Sequence, residues 1–151
     1  MKPKLLIDSI SLLSSLTGIG RYTYEISKRI EEIEDINSNY FYGYYSKQLI
    51  HPSSKKKKKN FKSLVSKNLI LKKIARKIIS FSSKVLAPTY DIYWQPNFIP
   101  NDGIKAKKIV TTVHDFSFIL YKDFHPKERI EYFEKYFFRN ILHSDIIITG
   151  S

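Results

Sequence analysis

Several short stretches of this chain are apolar almost from end to end: "KPKLLID" at 2–8, "KKIVTTVHD" at 107–115 and "SDIIITGS" at 144–151. They are too short for buried helices and lack the strict polar alternation of a strand with one wet face, so they read as strands buried on both sides. That is the signature of a parallel sheet covered by helices. Between these runs the period changes. Ile19, Tyr22, Ile26, Ile30 and Ile33 recur at helical spacing with Lys and Glu opposite. A second stripe, Ile130, Phe133, Phe137 and Ile141, follows Pro126, a residue suited to a first helical turn. Two further strands are expected at 39–45, "NYFYGYY", where Gly43 interrupts the β-formers, and at 91–96, "DIYWQP". Strands alternating with helices give the class α/β, a parallel sheet flanked by helices. Ligands in such sheets bind beyond the carboxyl ends of the strands. Asp8, the pair His114-Asp115 and residues 149–151 are expected to gather there.

With 151 residues, 42% of them hydrophobic, one domain with a substantial core is expected, and a disordered chain is excluded. There is no cysteine, hence no disulfide framework, no thiolate nucleophile and no Cys-based zinc site, and the reducing cytoplasm is the simplest home. The N-terminus lacks the apolar core of a signal peptide, and no run approaches the ~18 apolar residues of a membrane span. Export and membrane spanning are therefore not expected. The sequence stops on Ser151, at the tip of an expected strand, which leads to the expectation of a longer protein.

The formal net charge of +12 is concentrated in one segment. Between Ile36 and Tyr90 there is no Asp or Glu, while Lys47, Lys55, Lys56, Lys57, Lys58, Lys59, Lys62, Lys67, Lys72, Lys73, Arg76, Lys77 and Lys84 all carry positive charge. The rest of the chain is close to neutral. From Phe61 to Leu86 apolar residues recur at helical spacing between the lysines, as in a basic amphipathic helix able to lie on anionic lipid. A helix packed on the sheet with a solvated lysine face would look the same. Nucleic acid is a weaker partner, because no recognised DNA- or RNA-binding motif accompanies the charge.

Only five glycines are present, and two of them, Gly18 and Gly20, stand one residue apart at the start of the first expected helix. Glycine disfavours regular structure by about 0.5–1 kcal/mol relative to alanine, so a pair marks a special turn or a close approach. Backbone N–H groups at a helix N-terminus can hold a phosphate, or the turn can simply let the helix begin. The dinucleotide fingerprint fits poorly: Thr23 stands at the third glycine position and no acid follows the second strand. His114, at the end of a strong strand, could share a proton with a reacting hydroxyl, or its ring could satisfy a loop carbonyl. The four histidines show no metal-binding spacing, and no metal is assigned.

Taken in order, "ID" then "TGIGRYTYEI", "DIYWQPNFIP", "VTTVHDFSFILYKDFHPKERIEYF" and "SDIIITGS" resemble the N-terminal domain of a family 4 glycosyltransferase of the GT-B fold. The resemblance covers 1–151 apart from a basic insert at about 46–86. It implies a Rossmann-like sheet forming the acceptor-side half of a two-domain enzyme, with the C-terminal donor-binding domain absent from these residues. It implies metal-independent transfer of a sugar, with retention, from a UDP- or GDP-sugar donor to a glycan or lipid-linked acceptor, in cell-surface polysaccharide or lipopolysaccharide synthesis, with no cofactor. Gly18, Ile19, Gly20, Arg21 and Tyr22 would lie near the donor phosphates and acceptor. His114 would lie beside the donor sugar, orienting the reacting groups, with Asp115 supporting it. Lys55 to Lys59, Lys72, Lys73, Arg76 and Lys77 would dock on the inner face of the membrane. The chain alone is expected to transfer no sugar; the competing expectation is an inactive half-domain that only binds.

Overall fold

The computed structural model describes residues 1–14, 16–51 and 88–150. The basic stretch that supplies most of the positive charge, with its expected amphipathic helix and membrane-docking lysines, lies outside the described residues.

Along the chain run β1 (Lys4–Asp8), a 3-10 turn (Ile10–Leu13), α1 (Gly18–Glu31), β2 (Asn37–Phe41), β3 (Tyr45–Ser46), β4 (Tyr90–Gln95) and β5 (Ala106–Val113). There follow a short α2 (Ser117–Leu120), a second 3-10 turn (Lys122–Phe124), α3 (Lys127–Ile141) and β6 (Ile146–Thr149). The six strands form one sheet in the order β3-β2-β1-β4-β5-β6, with every pairing parallel except β2 with β3. The fold is thus α/β, a mostly parallel sheet flanked by helices, consistent with a Rossmann-like architecture.

Successive side chains on a strand point to opposite faces, and β1 uses both. Leu5 and Ile7 join Trp94, Tyr40 and Leu12 in a cluster closed by Tyr22, Ile26 and Ile30 of α1. Leu6, between them, joins Phe41, Tyr93 and Ile104 on the other side. Further along, Val113 packs with Phe98, Phe118, and Phe133 and Phe137 of α3. Leu6, Ile7, Tyr40, Phe41 and Tyr93 have no exposure at all. Burying each apolar side chain of this size contributes roughly 1.5–3 kcal/mol.

Helix α1 begins where Thr17 caps it: its hydroxyl oxygen accepts from the Gly20 amide at 3.3 Å. Lys28 and Arg29 in the last turn complement the negative end of the helix dipole. The buried residues of α1 are Gly20, Thr23 and Ser27, small side chains at i, i+3 and i+7, so the helix lies close on its neighbours. The Thr23 hydroxyl donates to the Ile19 carbonyl at 2.9 Å. The apolar stripe flanks this line of small residues.

Three expectations need correction. The strand expected at 39–45 is two strands: the chain turns at Gly43, which has a left-handed φ of 89°, and β3 returns antiparallel along β2. Alternation of β-formers hid that turn because glycine was the only marker of it. Ile33 does not extend the helical stripe; α1 stops at Glu31 and Ile33 is exposed. Finally, β6 is not covered as its apolar run suggests, since Ile146, Ile147 and Ile148 are all exposed. Among the described residues no helix is long and apolar enough to cross a membrane.

Candidate functional site at the carboxyl edge of the sheet

The strand order places the site. From β1 the chain moves outward to β2 and β3, then returns to build β4, β5 and β6 on the other side of β1. The reversal falls between β1 and β4, and the carboxyl ends of strands at such a reversal are where open α/β sheets take ligands. Asp8 ends β1, Gln95 ends β4, His114 follows β5, and α1 begins after the loop that leaves β1.

Asp8 is at that edge but underneath it, only 6% exposed. In the parallel register Leu6 lies beside Tyr93, which brings Asp8 next to Gln95. The Tyr93 hydroxyl and Gln95 Nε2 both donate to Asp8 Oδ2, at 3.0 and 3.2 Å, and the Ile10 amide donates to Oδ1 at 3.2 Å. Burial raises the Asp8 pKa to about 6 against the pull of these three donors. Burial likewise raises Tyr93 well above the usual phenol value, with the Asp8 charge adding to it, so Tyr93 stays a donor. Gln95 also donates to the Ile99 carbonyl at 2.9 Å and accepts from the Asn97 amide at 3.0 Å. The network ties the loop after β1 to the turn after β4.

His114 is half-buried, and its Nε2 lies 2.8 Å from the Pro96 carbonyl oxygen. A carbonyl only accepts, so Nε2 carries a proton, and in the neutral ring Nδ1 holds the lone pair. Tyr22 meets the imidazole edge-on, with centroids 5.0 Å apart and planes at 89°. Phe98 makes a second such contact at 5.5 Å. Tyr22 also touches Trp94 at 5.9 Å. The structure therefore brings together the first turn of α1 and the end of β5, through Tyr22. At the third expected contributor, a Cβ on Gly150 would lie 3.8 Å from the His114 carbonyl oxygen.

Within the glycine turn, Ile19 packs on the Phe98 cluster and Arg21 is exposed. Neither Gly18 nor Gly20 has a left-handed backbone. A Cβ on Gly20 would meet the Ser11 carbonyl at 3.5 Å and Leu16 and Thr17 atoms slightly farther off, all ordinary contacts; one on Gly18 would meet nothing within 4 Å. Folding does not call for glycine at 18, and the space beside it is open.

Asp115 does not turn to His114. Its Oδ1 accepts from the amide and the hydroxyl of Ser117, at 2.9 and 2.7 Å, at the start of α2. The Ser117 hydroxyl is the chief cause that holds the carboxyl below its ordinary range. His125 Nε2 lies 2.9 Å from Ser117 Oγ. Because the hydroxyl proton goes to Asp115, His125 donates to Ser117. The direction is the reverse of an activated serine, where the hydroxyl gives its proton to the imidazole. Asp115, Ser117 and His125 thus form a polar brace behind β5. Nothing in the residue pattern marks Ser117 and His125 as partners, because their contact depends on the turns between β5 and α3. Among the described residues no group of three or more His, Asp or Glu side chains forms a metal-binding cluster.

No family model matches the chain, and no solved structure matches it. Over 163 aligned residues it is 26% identical to the O-antigen chain mannosyltransferase B of Escherichia coli, an alignment that takes in 98% of this chain and 41% of that protein. The chain thus spans less than half the length of this relative. The similarity supports a glycosyltransferase as the class to which this chain is related.

Proposed function

We propose that this chain is the acceptor-side, N-terminal part of a family 4 glycosyltransferase of the GT-B type, which transfers a sugar with retention from a nucleotide-sugar donor to a growing O-antigen glycan. Mannose is the first sugar to test, on the strength of the relative's name. The observation that carries the reading is the junction at the carboxyl edge of the sheet: the first turn of α1, with open space at Gly18, meets His114 through the Tyr22 ring. The similarity along nearly the whole chain supports it.

In this reading the Gly18 and Ile19 amides, which precede both the Thr17 cap bond to Gly20 and the first intrahelical bond from Arg21, face the donor phosphates. Charge that develops on the departing diphosphate is stabilised there by fixed dipoles. Nδ1 of His114 takes or shares the proton of the attacking hydroxyl. The nucleotide and the donor sugar are held chiefly by residues beyond these 151. The membrane is the surface at which a lipid-linked acceptor is met, in the cytoplasm.

Gly18→Val tests this directly. The new side chain enters open space, so folding stability is expected to stay within about 0.5 kcal/mol of the wild type. In the complete polypeptide, transfer from a UDP- or GDP-sugar is expected to fall about 10- to 100-fold, because the donor is displaced from the helix terminus. Undiminished transfer by Gly18→Val would remove the glycine turn from the site. A parallel assay of the 151-residue chain alone is expected to show no transfer; measurable turnover would overturn the proposed division between two domains.

A further inference from the structure

Among the described residues one non-glycine residue has a left-handed backbone: Phe98, with φ of 60°. It is the centre of a three-residue turn closed by the Ile99 amide, which donates to the Asn97 carbonyl at 2.7 Å. Such left-handed γ-turns are rare and strained, and a bulky aromatic residue resists them more than glycine or asparagine would. A residue stays in this conformation only where its surroundings hold it there.

What holds it is β5, the strand that leads to His114. The Phe98 amide donates to the Thr112 carbonyl at 3.0 Å, two residues before His114. The Pro96 carbonyl, two residues before Phe98, accepts from His114 Nε2. The turn is therefore fastened to β5 at two points, one through the backbone and one through the imidazole itself. The Phe98 ring is 1% exposed and wedged against Phe118, Phe133 and His114, with centroids 5.8, 5.4 and 5.5 Å away. Tyr22 closes on the imidazole at a right angle.

We propose that Phe98 is a positioning residue for His114: the left-handed turn it completes presents the Pro96 carbonyl to Nε2, fixes the imidazole as a single tautomer and leaves Nδ1 as the atom able to take a proton. That Nδ1 takes it from an acceptor hydroxyl rests on the glycosyltransferase reading; the fixing of the tautomer does not. An extended backbone at Phe98 would break the turn, and with it the orientation of the carbonyl that selects the protonated nitrogen.

The test is nuclear magnetic resonance of the imidazole nitrogens in the 15N-labelled chain, with the His114 signals identified by their loss in His114→Gln. In the wild type His114 is expected to show protonated Nε2 and unprotonated Nδ1, without tautomer averaging. A wild-type ring that averages, or carries its proton on Nδ1, overturns the proposal with no variant needed. In Phe98→Ala, and in Phe98→Leu, which keeps more of the core filled, the signals are expected to move towards the averaged pattern of exposed His143. The Nε2 proton is expected to exchange about tenfold faster, as befits loss of one hydrogen bond, while His51 and His143 stay unchanged. Folded variants that retain the wild-type His114 signals overturn the proposal. A fixed tautomer lost in the variants, alongside full turnover by His114→Gln in the complete enzyme, would keep the positioning and discard the catalytic role; the opposite pair of results would do the reverse.

Discussion

Replacing His114 by Gln in the complete polypeptide is expected to lower turnover by about 10²–10⁴, the usual contribution of a positioned general acid or base. Glutamine suits the test because its amide N–H can still donate to the Pro96 carbonyl that now holds Nε2. The side chain would then keep its place between Tyr22 and Phe98 while losing the nitrogen lone pair that can accept a proton. The loss should fall on kcat with KM little changed, since an interaction made only as the proton moves does not contribute to ground-state binding. Steady-state transfer from a nucleotide sugar to an O-antigen acceptor, by wild type and variant, decides it. Turnover within threefold of wild type would show that the imidazole merely satisfies a loop carbonyl.

Stability of the chain is expected to fall as pH rises from about 4 to about 7, through Asp8. Its folded-state pKa is raised from 3.8 to about 6, chiefly by burial. A raised value means that the folded protein holds the proton more tightly than the unfolded chain does. The stabilisation is therefore complete below the unfolded value and is lost as pH climbs through about 6. Two units correspond to about 3 kcal/mol, a large part of the 5–15 kcal/mol that holds a typical domain together. Tyr93, Gln95 and the Ile10 amide are all neutral donors, which soften the cost of a buried carboxylate without cancelling it. Urea denaturation of wild type and Asp8→Asn between pH 4 and pH 8 isolates the effect from other titrating groups. Across that range the wild type should lose about 2 kcal/mol of stability relative to Asp8→Asn, because the unfolded carboxyl is already about half ionised at pH 4; a difference that does not change with pH would show that Asp8 is ionised without penalty.

Asp8 also shows how far the sequence could be read. That a strand ends there is visible, because "KLLID" is an apolar run closed by a carboxylate. That the carboxylate is buried at the carboxyl edge of the sheet is not, since its partners Tyr93 and Gln95 come from a strand some 85 residues later. Only the parallel register of β1 with β4 sets them beside it.

What the sequence determined by itself was local. Buried parallel strands write themselves as apolar runs, helices as 3.6-residue stripes, and the start of α1 as a pair of glycines, so class, the order of the main strands and helices and the placing of His114 after a strand were all legible. Tertiary structure decided the rest: the turn that splits 39–45, the contact of Tyr22 with His114, the pairing of Asp115 with Ser117 rather than with the neighbouring imidazole, and the left-handed Phe98. Each depends on groups distant in sequence or on a backbone angle that residue type alone disfavours. A single chain records its own periodicities, whereas such pairings exist only once the strand order has brought the ends of β1, β4 and β5 to one edge.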